Sequence, residues 1–323
     1  MKKIIIIHTG GTISMLENKL TGEILTTDVH PLSNIPYNFG DNVLIDEHIE
    51  FSLPSPHITP RHMLKLAKSI EKFLLEYDGL VVTHGTDTLE ETAYFLDLVL
   101  DTEKPVIVTG AMRSSNEIGS DALYNLISSI RVALSPNAYS KGVLVVMNDE
   151  IHSAKNVTKT STSNIATFQS PQFGPIGIIT KDSIQFHHQL TYRTFYPAED
   201  ISKNVPLLKA YAGMDSKIFE LVNNGKPDGL IIEGLGQGNL PKETLPAIEQ
   251  ILADNIPIVL VSRSFRGAVQ PTYAYEGGGK KLKEMGIIFT NGLTGPKARI
   301  KLLIALENTT DIHELRKIFE NDI

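Results

Sequence analysis

The sequence predicts an α/β fold: a larger N-terminal domain with a mostly parallel sheet flanked by helices, then a smaller C-terminal α/β domain. Three observations carry this. Short β-branched runs recur at residues 3–8, 79–83, 105–109 and 142–147, and again at 229–233, 257–261 and 286–290. They are apolar almost throughout rather than alternating, which suits strands covered on both faces. Amphipathic segments separate them, and strand–helix–strand repetition builds parallel layers with right-handed crossovers.

Taken in order, the first run has Lys2 and Lys3 before four isoleucines. It is too short for the apolar core of a secretion signal and passes into His8-Thr9-Gly10-Gly11 without a small-residue cleavage site. It reads as the buried first strand of a cytoplasmic protein. No stretch approaches the ~20 apolar residues of a membrane span. Residues 14–36 are polar and turn-rich and read as a long, mobile loop of the kind used as an active-site lid.

Thr59 and Pro60 are an N-cap and first-turn signal, and Leu64, Leu66, Ala67, Ile70, Phe73 and Leu74 fall near helical spacing. Residues 89–100, 121–134, 242–253 and 295–306 read as helices in the same way. After Met147 the rhythm breaks. Residues 148–189 are rich in Ser, Thr, Gly, Pro and Gln and predict hairpins or irregular structure. A chain of 323 residues exceeds the usual single-domain size. The expected division is a domain over 1–190, a connection over 191–203 and a second domain over 204–323.

The net charge of -7 is spread along the chain. Nucleic acid and anionic membranes both call for a basic patch, and none is present, so neither is expected as a partner. The chain has no cysteine, which excludes thiol catalysis, disulfides and cysteine-ligated zinc.

In parallel sheets ligands bind beyond the carboxyl ends of the strands, and polar motifs stand there. The first strand ends in Thr9-Gly10-Gly11-Thr12. Two glycines let the backbone approach a ligand closely, and their amides can face an anion. A dinucleotide fingerprint would need a third glycine and a following helix. The plainer reading is a Gly-Gly turn with Thr12 as a cap. The second strand end carries Thr83-His84-Gly85-Thr86-Asp87-Thr88, where Thr86 is open to reading as the cap of the next helix and Asp87 suits its positive end. Two Gly-Thr motifs at two strand ends meet in one crevice, which favours function over two coincidental caps. A third segment, Val157-Thr158-Lys159-Thr160, holds a lysine that is either merely solvated or a proton acceptor for a threonine hydroxyl. His8 and His84 flank the motifs and read as hydrogen-bonded structure.

Thr9-Gly10-Gly11-Thr12-Ile13 and His84-Gly85-Thr86-Asp87-Thr88 together resemble the two signature segments of bacterial-type L-asparaginases, the asparaginase/glutaminase family of threonine amidohydrolases. Ile165-Ala166-Thr167-Phe168, Gly236-Gln237-Gly238-Asn239 and Pro296-Lys297-Ala298-Arg299 are similar to that family too, in the same order along the whole chain. The resemblance implies hydrolysis of L-asparagine to L-aspartate and ammonia. Thr12 matches the nucleophile that forms an acyl-enzyme, and Thr86, Asp87 and Lys159 match a second polar triad that handles protons. Gly11, Ser55, Gly85, Thr86, Asp87, Asn239 and Tyr273 are the expected substrate-binding positions, with Asp87 and Ser55 on the substrate's α-amino and α-carboxylate groups. Backbone amides beside Thr86 and in Gly10-Gly11 are natural oxyanion donors.

Some positions depart from the family pattern. No tyrosine lies between Thr12 and Tyr37, so the usual first-loop tyrosine has no counterpart. Ser55 is followed by Pro56-His57, which removes one side-chain contact to the substrate. The acidic residue usually given by a neighbouring subunit aligns loosely with Tyr273 or Glu276. The resemblance also implies a homodimer or homotetramer with active sites at the subunit interface, and neither metal nor organic cofactor. A glutaminase-asparaginase of relaxed specificity remains open, as does a non-catalytic amino-acid-binding module, which would need no paired hydroxyl and lysine.

Overall fold

The computed structural model describes residues 1–18, 20–26, 32, 37–188 and 193–320. They form two compact units, Met1–Phe195 and Tyr196–Ile323. The division falls inside the 191–203 stretch; residues 189–192 lie outside the described residues.

The first unit runs β1 (Lys2–His8), β2 (Met15–Glu17), β3 (Ile24–Thr26), β4 (Val43–Ile49), α1 (Pro60–Phe73), β5 (Gly79–Thr83), α2 (Leu89–Val99), β6 (Val106–Thr109), α3 (Ala122–Leu134), β7 (Val143–Met147), β8 (Glu150–Ser153), β9 (Thr158–Lys159), β10 (Phe168–Gln169), β11 (Gly177–Ile179) and β12 (Ile184–Phe186). Eight of these strands make one sheet in the order β12-β11-β8-β7-β6-β5-β1-β4. The five from β4 to β7 are parallel, and β8, β11 and β12 extend the sheet antiparallel. Ile4, Ile6, Val81, Ile107, Leu144 and Val146 are fully buried and pack with Leu126 and Ile130 of α3. An apolar run therefore became a strand wherever both of its faces could be covered.

The connection leaving β1 leads to β4 on one side, while β5 leads on to β6 on the other. The loops after β1 and β5 therefore diverge and open a crevice at the carboxyl ends of two neighbouring strands, with His8 paired to Thr83. α1 starts where expected. The Thr59 hydroxyl accepts from His62 N–H at 3.4 Å and His62 Nδ1 accepts from Thr59 N–H at 3.1 Å, a reciprocal cap.

Two details differ from expectation. The opening of residues 14–36 is a hairpin rather than a loop: β2 and β3 pair with Leu16 opposite Leu25. Asn18 N–H donates to the Glu23 carbonyl at 2.8 Å and Gly22 N–H to that of Asn18 at 2.7 Å. Residues 27–31 and 33–36 of the expected lid lie outside the described residues. The second is β4, an edge strand whose Asp46, Glu47 and His48 hide it from a search for apolar runs.

The second unit runs β13 (Leu207–Lys209), α4 (Lys217–Asn224), β14 (Leu230–Gly234), α5 (Leu245–Ala253), β15 (Ile258–Ser262), α6 (Gly279–Glu284), β16 (Ile288–Phe289), α7 (Gly295–Asn308) and α8 (Ile312–Glu320). Its four strands are parallel in chain order. Lys301 of α7 is buried; its ammonium donates to the Ile318 carbonyl at 2.7 Å and lies 5.2 Å from the Phe319 ring centroid, tying α8 down. The two-part α/β architecture is the one expected. Among the described residues no helix is long and apolar enough to cross a membrane.

Candidate active site

A small polar cavity of about 220 Å³ opens at the carboxyl ends of β1 and β5, lined by Gly11, Thr12, Ser55, Gly85, Thr86, Asp87 and Lys159 among others. A larger cavity of about 420 Å³ lies by α1 and the end of β4, around Glu50. Burial would raise the pKa of the Glu50 carboxyl, but bonds from Lys65, Ser69 and His48 outweigh it and hold it below its ordinary value. That carboxylate is already matched, so size does not decide between the two cavities. Chemistry does.

The smaller cavity is built from backbone outward. Gly10 and Gly11 adopt φ of 99° and 82°, a region L side chains rarely enter. A Cβ on Gly10 would stand 2.4 Å from the Leu53 carbonyl oxygen, and one on Gly11 2.2 Å from Gly85 Cα. The two loops thus touch backbone to backbone. Thr9 fastens the first by donating N–H and hydroxyl to the Thr83 carbonyl, at 3.0 and 2.9 Å.

Thr12 opens a single 3-10 turn, Thr12–Ser14, whose N-cap is Gly11, so the reading of Thr12 as a cap is corrected. Its half-buried side chain makes no hydrogen bond among the described residues. Thr86 is not a cap either. The N-cap of α2 is Thr88, whose hydroxyl donates to the Ser55 carbonyl at 2.8 Å. The Thr86 hydroxyl instead accepts from Lys159 Nζ at 3.0 Å, and the same ammonium donates to Asp87 Oδ1 at 2.7 Å. Asp87 itself is exposed, at 61% of its side chain, so one carboxylate oxygen stays open to a ligand. Ser55 is buried, and its hydroxyl accepts from Asp87 N–H at 3.2 Å.

His84 explains how Thr86 is oriented. Its ring is buried, and Nδ1 lies 2.7 Å from the Gly85 carbonyl, so Nδ1 carries the proton. Nε2 then accepts from the Thr92 hydroxyl at 2.9 Å. Burial lowers the imidazole pKa to about 4, opposed only in part by the bond to Gly85, and the ring is neutral at pH 7. Because the Gly85 carbonyl is turned toward this ring, the N–H of the same trans peptide, that of Thr86, points the other way. That N–H meets no acceptor among the described residues. Thr86 lines the cavity, so this N–H is a donor that a ligand in the cavity could bond.

The structure brings Gly11, Thr12, Ser55, Gly85, Thr86, Asp87 and Lys159 to one cavity. Asn239 and Tyr273 belong to the second unit. Asn239 Oδ1 accepts from Gly279 N–H at 3.2 Å, and the half-exposed Tyr273 ring stacks obliquely on Tyr275 at 5.7 Å. Met15, Met112 and Thr162 also line the cavity and escaped the sequence reading. Met112 follows β6, so the strand-end rule that found the other motifs would have found it. Among the described residues no group of acidic or histidine side chains is arranged to hold a metal ion.

Comparison with known proteins gives the same picture along the whole chain. Residues 3–192 match the family model described as Asparaginase, N-terminal, and residues 204–319 match Glutaminase/Asparaginase C-terminal domain. A chain from Deinococcus radiodurans named Probable L-asparaginase is 39% identical, the match covering 100% of this chain and 98% of that one. The L-asparaginase of Bacillus licheniformis is 36% identical over 94% of this chain and 95% of its own. Among solved structures, that of a probable cytoplasmic L-asparaginase from Campylobacter jejuni superposes with a TM-score of 0.87 at 30% identity, covering 99% of both chains.

Proposed function

This chain belongs to the asparaginase family of amidohydrolases, and from that premise we propose that it hydrolyses L-asparagine to L-aspartate and ammonia through a threonyl acyl-enzyme. The observation that carries the reading is Lys159 Nζ, which bonds the Thr86 hydroxyl and the Asp87 carboxylate in a cavity also lined by Thr12, whose hydroxyl has no partner among the described residues.

Thr12 Oγ attacks the side-chain amide carbon and gives up its proton as the C–O bond forms. The negative charge that develops on the amide oxygen is met by backbone N–H groups, that of Thr86 foremost, a term worth roughly 10²–10³ in rate per donor. The C–N bond then breaks, nitrogen leaves with a proton as ammonia, and water opens the ester to release L-aspartate and restore Thr12. The linked Thr86, Lys159 and Asp87 supply and receive the protons. Asp87, with Ser55, holds the substrate's α-amino and α-carboxylate ends. Gly11 and Gly85 act through their backbone, and Asn239 and Tyr273 complete the substrate contacts in a cytoplasmic homotetramer whose sites lie at subunit interfaces.

The test is steady-state ammonia release with L-asparagine and L-glutamine side by side. Turnover of asparagine in strong preference supports the reading. Comparable turnover of both replaces it with glutaminase-asparaginase, which the name of the C-terminal family model keeps in view. Ligand-dependent melting without turnover of either would replace it with a binding module.

A further inference from the structure

The Lys159 side chain reaches two residues of the β5–α2 loop, yet the hairpin that carries it is slight. β9 and β10 have two residues each, with Lys159 opposite Phe168, and such a pair is marginal on its own. Its loop is tied internally: Thr160 N–H donates to the Thr167 carbonyl at 2.8 Å, and the Thr167 hydroxyl bridges Ser161 N–H and carbonyl at 2.7 and 2.6 Å. Those bonds stiffen the hairpin but do not tell it where to stand against α2.

Glu90 does. It sits in the first turn of α2, three residues after Asp87, and its Oε2 accepts from the backbone N–H of Lys159 at 2.6 Å. Lys159 is therefore gripped at both ends by one short stretch of chain: its backbone by Glu90, its ammonium by Thr86 and Asp87. A lysine side chain is long and has many rotamers, so its tip is placed accurately only if its root is fixed.

We propose that Glu90 is the positioning residue of this reaction, setting Lys159 by accepting its backbone N–H. The inference rests on the asparaginase reading of the site. Glu90 touches neither substrate nor reacting atoms. What it contributes is distance, and a displacement of about 1 Å in such a group costs on the order of 10²-fold in rate.

The experiment compares E90A, E90Q, K159A and the double variant E90A/K159A, reading kcat and KM for L-asparagine and the melting temperature of each. The parent must first turn over L-asparagine; if it does not, the asparaginase reading falls before the variants are made, and this inference falls with it. In an active parent, E90A lowers kcat by roughly 10–100-fold while KM changes little, because the geometry of proton transfer is lost rather than ground-state binding. E90Q, which keeps an acceptor oxygen, restores most of that loss. E90A adds little once Lys159 is gone, since residues acting as a unit are non-additive. An active parent whose E90A variant keeps its kcat would overturn the proposal alone. So would E90Q as impaired as E90A, or additive losses in the double variant. Should E90A fail to fold, E90Q against K159A decides: a kcat loss in E90Q comparable with that of K159A overturns it.

Discussion

Gly11 and Gly85 lie backbone against backbone, so near that a Cβ on Gly11 would fall 2.2 Å from Gly85 Cα. This contact brings the loop after β1 and the loop after β5 to a single cavity. G11A combines that clash with a φ of 82°. We expect a stability loss of about 1–3 kcal/mol from the backbone strain alone and loss of turnover, read by thermal melting and ammonia release. An active, equally stable G11A would show that the loops need not touch.

T12A separates chemistry from folding. The Thr12 side chain is half-buried and makes no hydrogen bond among the described residues, so its loss should leave the melting temperature nearly unchanged. Turnover should fall on the order of 10⁶-fold, the scale seen when a hydrolase nucleophile is removed. Retention of most activity would end the nucleophile assignment.

T86V keeps the shape of Thr86 and removes the hydroxyl that accepts from Lys159. Turnover should be abolished with a stability change of no more than about 1.5–3 kcal/mol, the net worth of a bond to a charged group, since Lys159 keeps its bond to Asp87. A large drop in stability with residual activity would point back to a structural role.

The neutral His84 ring makes stability depend on pH with a definite sign. The folded imidazole takes up its proton near pH 4 and the unfolded one near 6.5. Its contribution is complete above pH 6.5 and is lost as pH falls toward 4, by about 3 kcal/mol in all. Melting temperatures of the parent and H84N over pH 4–7.5 should show the steeper acid-side fall in the parent. Parallel curves would mean that His84 is not buried neutral.

The architecture was legible where strands are buried on both faces, because Ile4–Ile7 or Val81–Val82 can be little else. It was not legible at β4, where alternate side chains face water and the charges of Asp46, Glu47 and His48 break the run. Nor was it at α8, which buries only Leu315 and Phe319, one turn apart, against the rest of the second unit. Motifs at strand ends announced the cavity, since topology sends the connections leaving the parallel strands β1 and β5 to opposite sides. Glu90 gave no signal: a glutamate in the first turn of a helix is ordinary, and only the fold reveals that Lys159 N–H lies 2.6 Å away.

The slight hairpin that delivers Lys159 also imposes an order in time. Thr12, Thr86 and Asp87 leave the ribosome well before Lys159 and its partner strand, which ends at Gln169. At about 5–20 residues per second, the nascent chain spends roughly 4–17 s between Thr86 and Gln169 with Thr12 and Thr86 made but the Lys159 hairpin incomplete. Chains interrupted in that interval carry both signature segments without the complete hairpin that brings Lys159 to Thr86 and Asp87. The linkage of Lys159 to Thr86 and Asp87 thus closes only late in synthesis of the first unit, and Asn239 and Tyr273 are made later still.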